Sequence, residues 1–389
     1  MRWIFCLVAF SVWGKPLEVE VSARSAILMN AETGAVLFEK QAHVPSYPGS
    51  TTKIATALYV LDKGYDLERV TTVSAESLKG RPLTDRDHLP PYWLDSDGTL
   101  LGLKRGETLN LETLLYGCML VSGNDAANVI AEAIGGSVPG FMGLMNVYLQ
   151  TLGCKNTQFA NPHGLPHPTH LSTAYDLALI AKKALTLPFF RKVVSTLSYM
   201  KPKSNKQPAR EIKLTNPLLK PKSRYYYPKA IGVKTGHTTL GQDTLVAAAE
   251  HEGRTLIAVV LGCAKKTGTR YEDVKRLFEA AFHQEKEKRR VLGPENTFSR
   301  TLTGSKAPLR AALSKPLSIE YFPAEEPQCK AALHWNVPPL PIRKGQKVGE
   351  VAIRDEEDRV LQKGDLIALE EVRGSFFFVL KEAFKKWLP

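Results

Sequence analysis

Along this chain the spacing of apolar positions switches between two periods, and the switches mark out the elements. "SAILMNAETGAVLFEK" (Ser25–Lys40) alternates around a Glu-Thr-Gly turn and predicts a hairpin of two short strands. From Ser50 to Leu61 the period is helical. Residues 80–110 are rich in Pro, Gly and Asp and predict loops with short elements. "NLETLLYGCMLVSG" opens on Asn110 as a cap, runs as a helix and breaks at Ser122–Gly123. "NDAANVIAEAIGG" resumes the helical pattern and stops at two glycines. "VPGFMGLMNVYLQTLG" gives another helix, and after a loop dense in Pro and His ("NPHGLPHPTHLS") the stretch "TAYDLALIAKKAL" is amphipathic. A basic, Pro-containing stretch, "YMKPKSNKQPAREIK", reads as a linker or a hairpin tip.

Strand-like runs follow: "AIGVKTG", "DTLVAAAE" and "RTLIAVVLG", the last two joined by a "HEG" turn, then a helix from Tyr271 to His283. A sheet whose last strands are antiparallel, with helices packed on it, defines an α+β domain. The charged run "HQEKEKRRVLGPEN" (His283–Asn296) reads as a boundary. Beyond it, short strand-like pieces with Pro and Gly ("PLSIEYF", "ALHWNV", "KVGEVAIRD", "DLIALEEV") predict a small all-β domain over residues 292–372.

The two ends follow neither pattern. "MRWIFCLVAFSVWG" has one early arginine, Arg2, and an apolar run to Trp13. It is too short to span a bilayer comfortably and fits a signal peptide over residues 1–14, with a buried first strand or an uncleaved anchor as alternatives. In the tail "SFFFVLKEAFKKWLP", residues 375–389, Phe376, Leu380, Ala383, Phe384 and Trp387 recur at helical spacing, with Lys381, Lys385 and Lys386 elsewhere on the helix. That is an amphipathic helix of the membrane-surface type. Its alternative is a helix docked on the β domain.

Composition narrows the choices. A chain of 389 residues with 43% apolar residues favours two packed domains. The net charge of +13 implies anionic surroundings. With no zinc-finger spacing and no RRM-like signature, nucleic acid is a weaker partner than an anionic membrane or cell-wall polymer. Cys6 would leave with a signal peptide; Cys118, Cys154, Cys263 and Cys329 show no CxxC spacing. Disulfides and buried free thiols both remain open for these four.

Three motifs carry chemistry. In "YPGSTTKIATALYVL", Ser50 and Lys53 are three apart at a helix start and share one face. A lysine there opposes the helix dipole, and a serine nucleophile needs a base beside it. Burial and a second cation would make that lysine the base. The bland alternative is a cap beside a surface lysine. A second Ser-x-x-Lys, Ser198–Lys201, is set aside because Pro202 follows and no helix continues. Ser122-Gly123-Asn124, at a break between helices, places a hydroxyl and a carboxamide on one turn. Lys234-Thr235-Gly236 offers a cation, a hydroxyl and a close backbone approach at the end of a strand run; a second such triplet, Lys266-Thr267-Gly268, lacks the strand context.

In this order and on these elements, the motifs resemble the S-x-x-K, S-D-N and K-T-G set of penicillin-binding proteins and class A β-lactamases, the middle one reading S-G-N here. "AILMNAETGAVLFEK", "PGSTTKIATAL", "LKRGETLNLETLLYGCMLVSGNDAANVIAEAIGG" and "IGVKTGHTTLGQDTLVAAA" are similar to the low-molecular-mass penicillin-binding proteins of the D-alanyl-D-alanine carboxypeptidase family, peptidase S11. The likeness covers nearly the whole chain. It implies a transpeptidase-like domain over residues 20–285, an antiparallel sheet with helices on both faces. A small all-β domain and a C-terminal amphipathic anchor helix would follow. It implies Ser50 as the acylated nucleophile, Lys53 as its base and Ser122 as a proton relay. Asn124, Lys234, Thr235 and Gly236 would line the substrate cleft, and the amides of Ser50 and His237 would hold the oxyanion. His163 resembles a cleft-side histidine, and Arg270 an arginine near the pocket for the substrate's terminal carboxylate. The partners implied are a peptidoglycan stem ending in D-Ala-D-Ala, β-lactams as covalent inhibitors and a membrane surface, at the periplasmic face of the inner membrane. No metal and no cofactor is expected.

Two departures stand out. The segment "TNPLLKPKSRYYYPKAIGV" is longer than usual in the family, and Thr215 stands where relatives often carry an arginine, for which Arg224 is a candidate replacement. The rival readings are a DD-endopeptidase, a serine β-lactamase and a non-catalytic wall-binding protein. The loop 161–170 carries no glutamate of the kind class A β-lactamases use for deacylation.

Overall fold

The computed structural model describes residues 4–10 (backbone only), 15–82, 88–264, 267–377 and 380. The chain divides into two compact units. One is Leu17–His283; the other runs from Gln284 onward and includes the Ile4–Phe10 strand.

The first unit is built on five antiparallel strands: β1 (Ser25–Asn30), β2 (Val36–Lys40), β3 (Ala230–Thr238), β4 (Gln242–His251) and β5 (Arg254–Cys263). Their order is β3-β4-β5-β1-β2, which leaves β3, the strand bearing Lys234-Thr235-Gly236, at an edge. Among the described residues seven α-helices accompany the sheet: α1 (Lys53–Asp62), α2 (Leu111–Leu120), α3 (Asn124–Gly135), α4 (Val138–Thr151), α5 (Ala174–Leu185), α6 (Pro188–Ser195) and α7 (Thr269–Phe282). Strand alternation sorts their packing. Ile27, Met29, Val246, Ala248, Ile257 and Val259 join one apolar core with residues of α1 to α6. The residues of opposite parity, Leu28, Ala247 and Ala258 among them, are equally buried, and α7 packs on β4 and β5. The sheet therefore has helices on both faces.

Local chemistry sets the helix starts. Asn110, Ser137 and Thr173 each accept a backbone N–H three residues on, at 3.0, 3.1 and 3.0 Å, where unpaired donors need partners. Helix α3 ends at Gly136, whose φ of 72° suits glycine. The basic stretch after α6 resolves as a hairpin: Ser198–Lys201 pairs with Arg210–Lys213. Inside it a buried ion pair, Lys201 Nζ to Glu107 Oε1 at 2.8 Å, ties the hairpin to the loop ahead of α2.

The second unit is all-β. Strands β6 (Glu287–Leu292), β7 (Thr297–Arg300), β8 (Leu309–Leu313), β9 (Leu317–Tyr321), β10 (Cys329–Trp335), β11 (Lys347–Arg354) and β12 (Val360–Ala368) surround a core that includes Leu309, Ile342, Val348, Ile353 and Leu366. The charged run read as a boundary is itself strand β6, paired with β9. Four of its six residues are charged and only Leu292 is buried, so no hydrophobic pattern marks it.

At the N-terminus, Ile4–Phe10 runs antiparallel to β10 on the edge of the six-stranded sheet. The rest of residues 1–14 lies outside the described residues. So does most of the expected C-terminal helix; Phe376 and Phe377 are helical and exposed. Cys118, Cys154, Cys263 and Cys329 are free, buried thiols, not disulfides. Among the described residues no helix is long and apolar enough to cross a membrane, and no cluster fit for a metal ion occurs.

Candidate active site

Ser50 does not cap a helix. It lies in a single 3-10 turn, Gly49–Thr52, and α1 starts one residue later with no side-chain cap. The turn is clamped against the sheet edge: Thr51 Oγ1 and Thr244 Oγ1 each donate to Pro48 O at 2.8 Å. The clamp explains Gly236. A Cβ there would fall 2.2 Å from Thr244 Oγ1 and 2.9 Å from Pro48 O, so only glycine lets β3 pass the turn. Gly164, with φ +98°, is required for the same reason, since its Cβ would lie 1.9 Å from Gly49 O.

Lys53 is fully buried, and its Nζ lies within hydrogen-bond reach of three neutral groups: Ser50 Oγ at 3.0 Å, Asn124 Oδ1 at 2.6 Å and the carbonyl of His163 at 2.7 Å. Burial, with the Lys234 cation as second cause, pulls its pKa down to about 7. Lys234, from β3, is also buried and donates to Thr235 O at 2.9 Å; burial brings its pKa down to about 8, with Arg270 pushing in the same direction. Two amides flank the gap between turn and strand. Ser50 N lies 3.1 Å from where a Gly236 Cβ would sit, and His237 N lies 3.2 Å from where a Gly49 Cβ would sit.

These groups open on a cleft of about 340 Å³. Ser50, Ser122, Asn124, Thr235, Gly236, His237 and Arg270 all line it. Ser122 has a positive φ of 64°, and its hydroxyl has no hydrogen-bond partner among the described residues. A side chain held in the left-handed region at a cleft is a common mark of function. Asn124 is fixed by its own N–H, which donates to Thr99 O at 2.8 Å, and by the contact of its carboxamide with Lys53. Arg270, at the start of α7, donates to Gly236 O at 2.8 Å and lies 3.4 Å from Asp243 Oδ1.

Two expectations need correction. The His163 ring does not face the cleft. It is buried, its Nδ1 accepts from Leu165 N at 3.2 Å, and its Nε2–H donates to Tyr92 O at 3.1 Å. Burial, then the nearby Lys53, holds its pKa well below the ordinary value, so it is a neutral, fully bonded ring. Only its carbonyl touches the site. Arg224 does not replace the missing arginine: it is exposed, 3.7 Å from Glu272, and does not line the cleft. Thr215 does line the cleft, with its hydroxyl donating to Leu120 O at 3.0 Å.

Sequence reading also missed two residues. Asp125 is buried beside Asn124 and accepts the backbone N–H groups of Leu101, Gly102 and Leu103 at 2.7, 2.8 and 3.0 Å, fixing the loop whose Thr99 lines the cleft. Its available signal was an acid in the first turn of a helix. Asp243 pairs across the hairpin with His237 and accepts from its Nδ1 at 2.8 Å. No sequence signal marked that register.

A serine hydroxyl beside a lysine poised to be neutral, two flanking amides and nearby cations are the equipment of acyl transfer through serine with a lysine base. Comparison with known proteins gives the same class. The Peptidase S11 family, D-alanyl-D-alanine carboxypeptidase, matches residues 14–265. D-alanyl-D-alanine carboxypeptidase DacF of Bacillus subtilis is 30% identical over 380 residues, 95% of this chain and 91% of that protein. DacD of Escherichia coli K12 is 31% identical over 375 residues, 95% and 92% of the two chains. Among solved structures, penicillin binding protein 5 of Haemophilus influenzae superposes with a TM-score of 0.62 at 26% identity, over 92% of this chain and 99% of that one. The chain belongs to the Peptidase S11 family.

Proposed function

We propose that the protein is a serine-type D-alanyl-D-alanine carboxypeptidase that removes the terminal D-alanine from peptidoglycan pentapeptide stems. The observation that carries this reading is Lys53, fully buried, 3.0 Å from Ser50 Oγ, and facing, among the described residues, no carboxylate within hydrogen-bond reach. Ser50 attacks the carbonyl of the penultimate D-alanine while Lys53 takes its proton. The amides of Ser50 and His237 stabilise the oxyanion. The Ser122 hydroxyl passes the proton to the departing amine, and Asn124 holds both Lys53 and the substrate amide. The terminal carboxylate lies toward Thr235, His237 and Arg270, and the stem runs as an added strand along the free edge of β3. Water then releases the acyl group. A β-lactam follows the first half of this path and stays on Ser50. The loop 161–170 presents Gly164, Leu165 and Pro166 to the cleft, none of them a base for the fast deacylation of a β-lactamase. The test is incubation with a diacyl-D-Ala-D-Ala peptide: D-alanine is released, and penicillin stops its release.

The same reading puts the protein outside the cytoplasm, at the periplasmic face of the inner membrane. What supports it is the short apolar N-terminus behind Arg2 and the aromatic and basic tail, in which Phe376 and Phe377 are exposed. Sequencing the N-terminus of the protein purified from cells checks the first point: a start beyond Gly14 agrees with export, and a start at Met1 contradicts a cleaved leader. Deleting residues 375–389 is expected to release the protein from membranes with activity intact; a truncated protein that still pellets with membranes refutes the anchor.

A further inference from the structure

Away from the catalytic groups, two loops form a tip with an unbalanced charge. The loop ahead of α2 carries Lys104 and Arg105, and the hairpin tip after Lys201 carries Lys203, Lys206 and Arg210. All five are exposed. The loops are tied together: Gln207 Nε2 donates to Gly102 O at 3.0 Å, Asn205 Nδ2 to Gly106 O at 2.8 Å, and Thr108 N to Asn205 Oδ1 at 2.9 Å. Arg210 donates to Leu101 O. Glu107 is the one acid between residues 99 and 110 or between 196 and 210. It is buried with Lys201 at 2.8 Å, and Ser204 and Gln207 also donate to it, at 2.7 and 2.6 Å. That carboxylate is neutralised from within and offsets none of the five surface cations. Among the described residues, no carboxylate pairs with Lys104, Arg105, Lys203 or Lys206.

The tip is continuous with the cleft. Thr99 lines the cleft, and Asp125 pins the residues that follow, Leu101, Gly102 and Leu103, so Lys104 stands five residues beyond the cleft lining on a fixed loop. A rigid cationic surface beside a cleft raises the local concentration of an anionic substrate. We propose that the two-loop tip is a docking surface for the polyanionic peptidoglycan strand whose stem is being cleaved. This rests on the proposed function, because each uncleaved stem ends in a carboxylate and neighbouring stems on the same strand present those charges together. Short soluble peptides reach only the cleft.

The test compares two substrates and two surfaces. The double variant K203E/K206E and, on the other loop, K104E/R105E are assayed on uncross-linked peptidoglycan strands and on diacyl-D-Ala-D-Ala. At low salt, kcat/KM on the strands is expected to fall about tenfold in each variant, while kcat/KM on the short peptide changes by less than about twofold. Raising the salt should erase the native protein's advantage on strands, because charges beyond about 8 Å are screened near physiological ionic strength. Cosedimentation with insoluble peptidoglycan should weaken in parallel. Unchanged activity on strands in both variants overturns the proposal. An equal fall on both substrates assigns the effect to the cleft and also overturns it. Loss of binding to vesicles of anionic phospholipid, with peptidoglycan binding intact, names a membrane instead. If the native protein releases no D-alanine from the short peptide, the carboxypeptidase reading fails, and cosedimentation still decides the docking surface.

Discussion

The chain contains the pattern Ser-x-x-Lys twice in one domain, and both lysines are completely buried. At Ser50–Lys53 the four residues wind through a turn into a helix, so hydroxyl and amine meet at 3.0 Å. At Ser198–Lys201 they form a strand, where residues three apart point to opposite faces; Ser198 is exposed and Lys201 turns inward. The partners differ as well. Lys201 meets the Glu107 carboxylate and remains half of an ion pair. Lys53 meets a hydroxyl, a carboxamide and a carbonyl, with burial and Lys234 working against its charge. The same residues at the same spacing give a structural cation in one place and a candidate base in the other. Backbone geometry and the sign of the neighbouring charge make the difference.

The largest expected effect separates the two serines. Ser50→Ala should lower acyl transfer by about 10⁴-fold or more and abolish labelling by a fluorescent penicillin, while Ser198→Ala labels like the native protein. Labelling that survives Ser50→Ala removes the nucleophile from the account. Next come the lysines. Lys53→Met should slow acylation by about 10²- to 10⁴-fold in a folded protein. Lys201→Met should instead destabilise the domain by about 3–5 kcal/mol, because it strands a buried Glu107. Thermal or urea unfolding measures the second effect; equal destabilisation by the two variants would erase the distinction between them. A smaller contrast lies between two arginines. Arg270→Ala, at the cleft, should lower kcat/KM about 10- to 100-fold, the worth of a lost charged hydrogen bond. Arg224→Ala, on the surface, should change it by less than about twofold. A larger loss at Arg224 would reinstate it as the replacement for the residue absent at Thr215.

The legible part of this site was the part written in local sequence. Turn glycines, helical spacing and a strand run placed Ser50, Ser122, Asn124 and Lys234 on their elements; the first three line one cleft, and Lys234 lies close enough to act on the charge of Lys53. Arg270 also arrives at the cleft, although a loop separates it from the last strand. What sequence could not show was direction and register. "NPHGL" does not reveal whether the His163 ring or its carbonyl faces Lys53; the structure turns the carbonyl in and buries the ring against Tyr92. The pairing of His237 with Asp243 depends on the hairpin register, and strand β6 hides in a run of charged residues with an exposed face. Proline and the loss of helical spacing separate the two Ser-x-x-Lys motifs because they report local conformation. Neither feature reports Glu107, which closes the question from 94 residues away in sequence.

The central claim is that Lys53 is the base for Ser50 because burial and the Lys234 cation pull its pKa down to about 7. The most direct test is the pH dependence of the rate at which a penicillin acylates Ser50, read by mass spectrometry. Lys53 must lose its proton to act, so the rate should climb with pH and reach half its maximum near about 7. It should fall again as Lys234, held at about 8, loses its charge. A rate that is flat across both limbs, or that climbs only near the ordinary lysine range, would contradict the account.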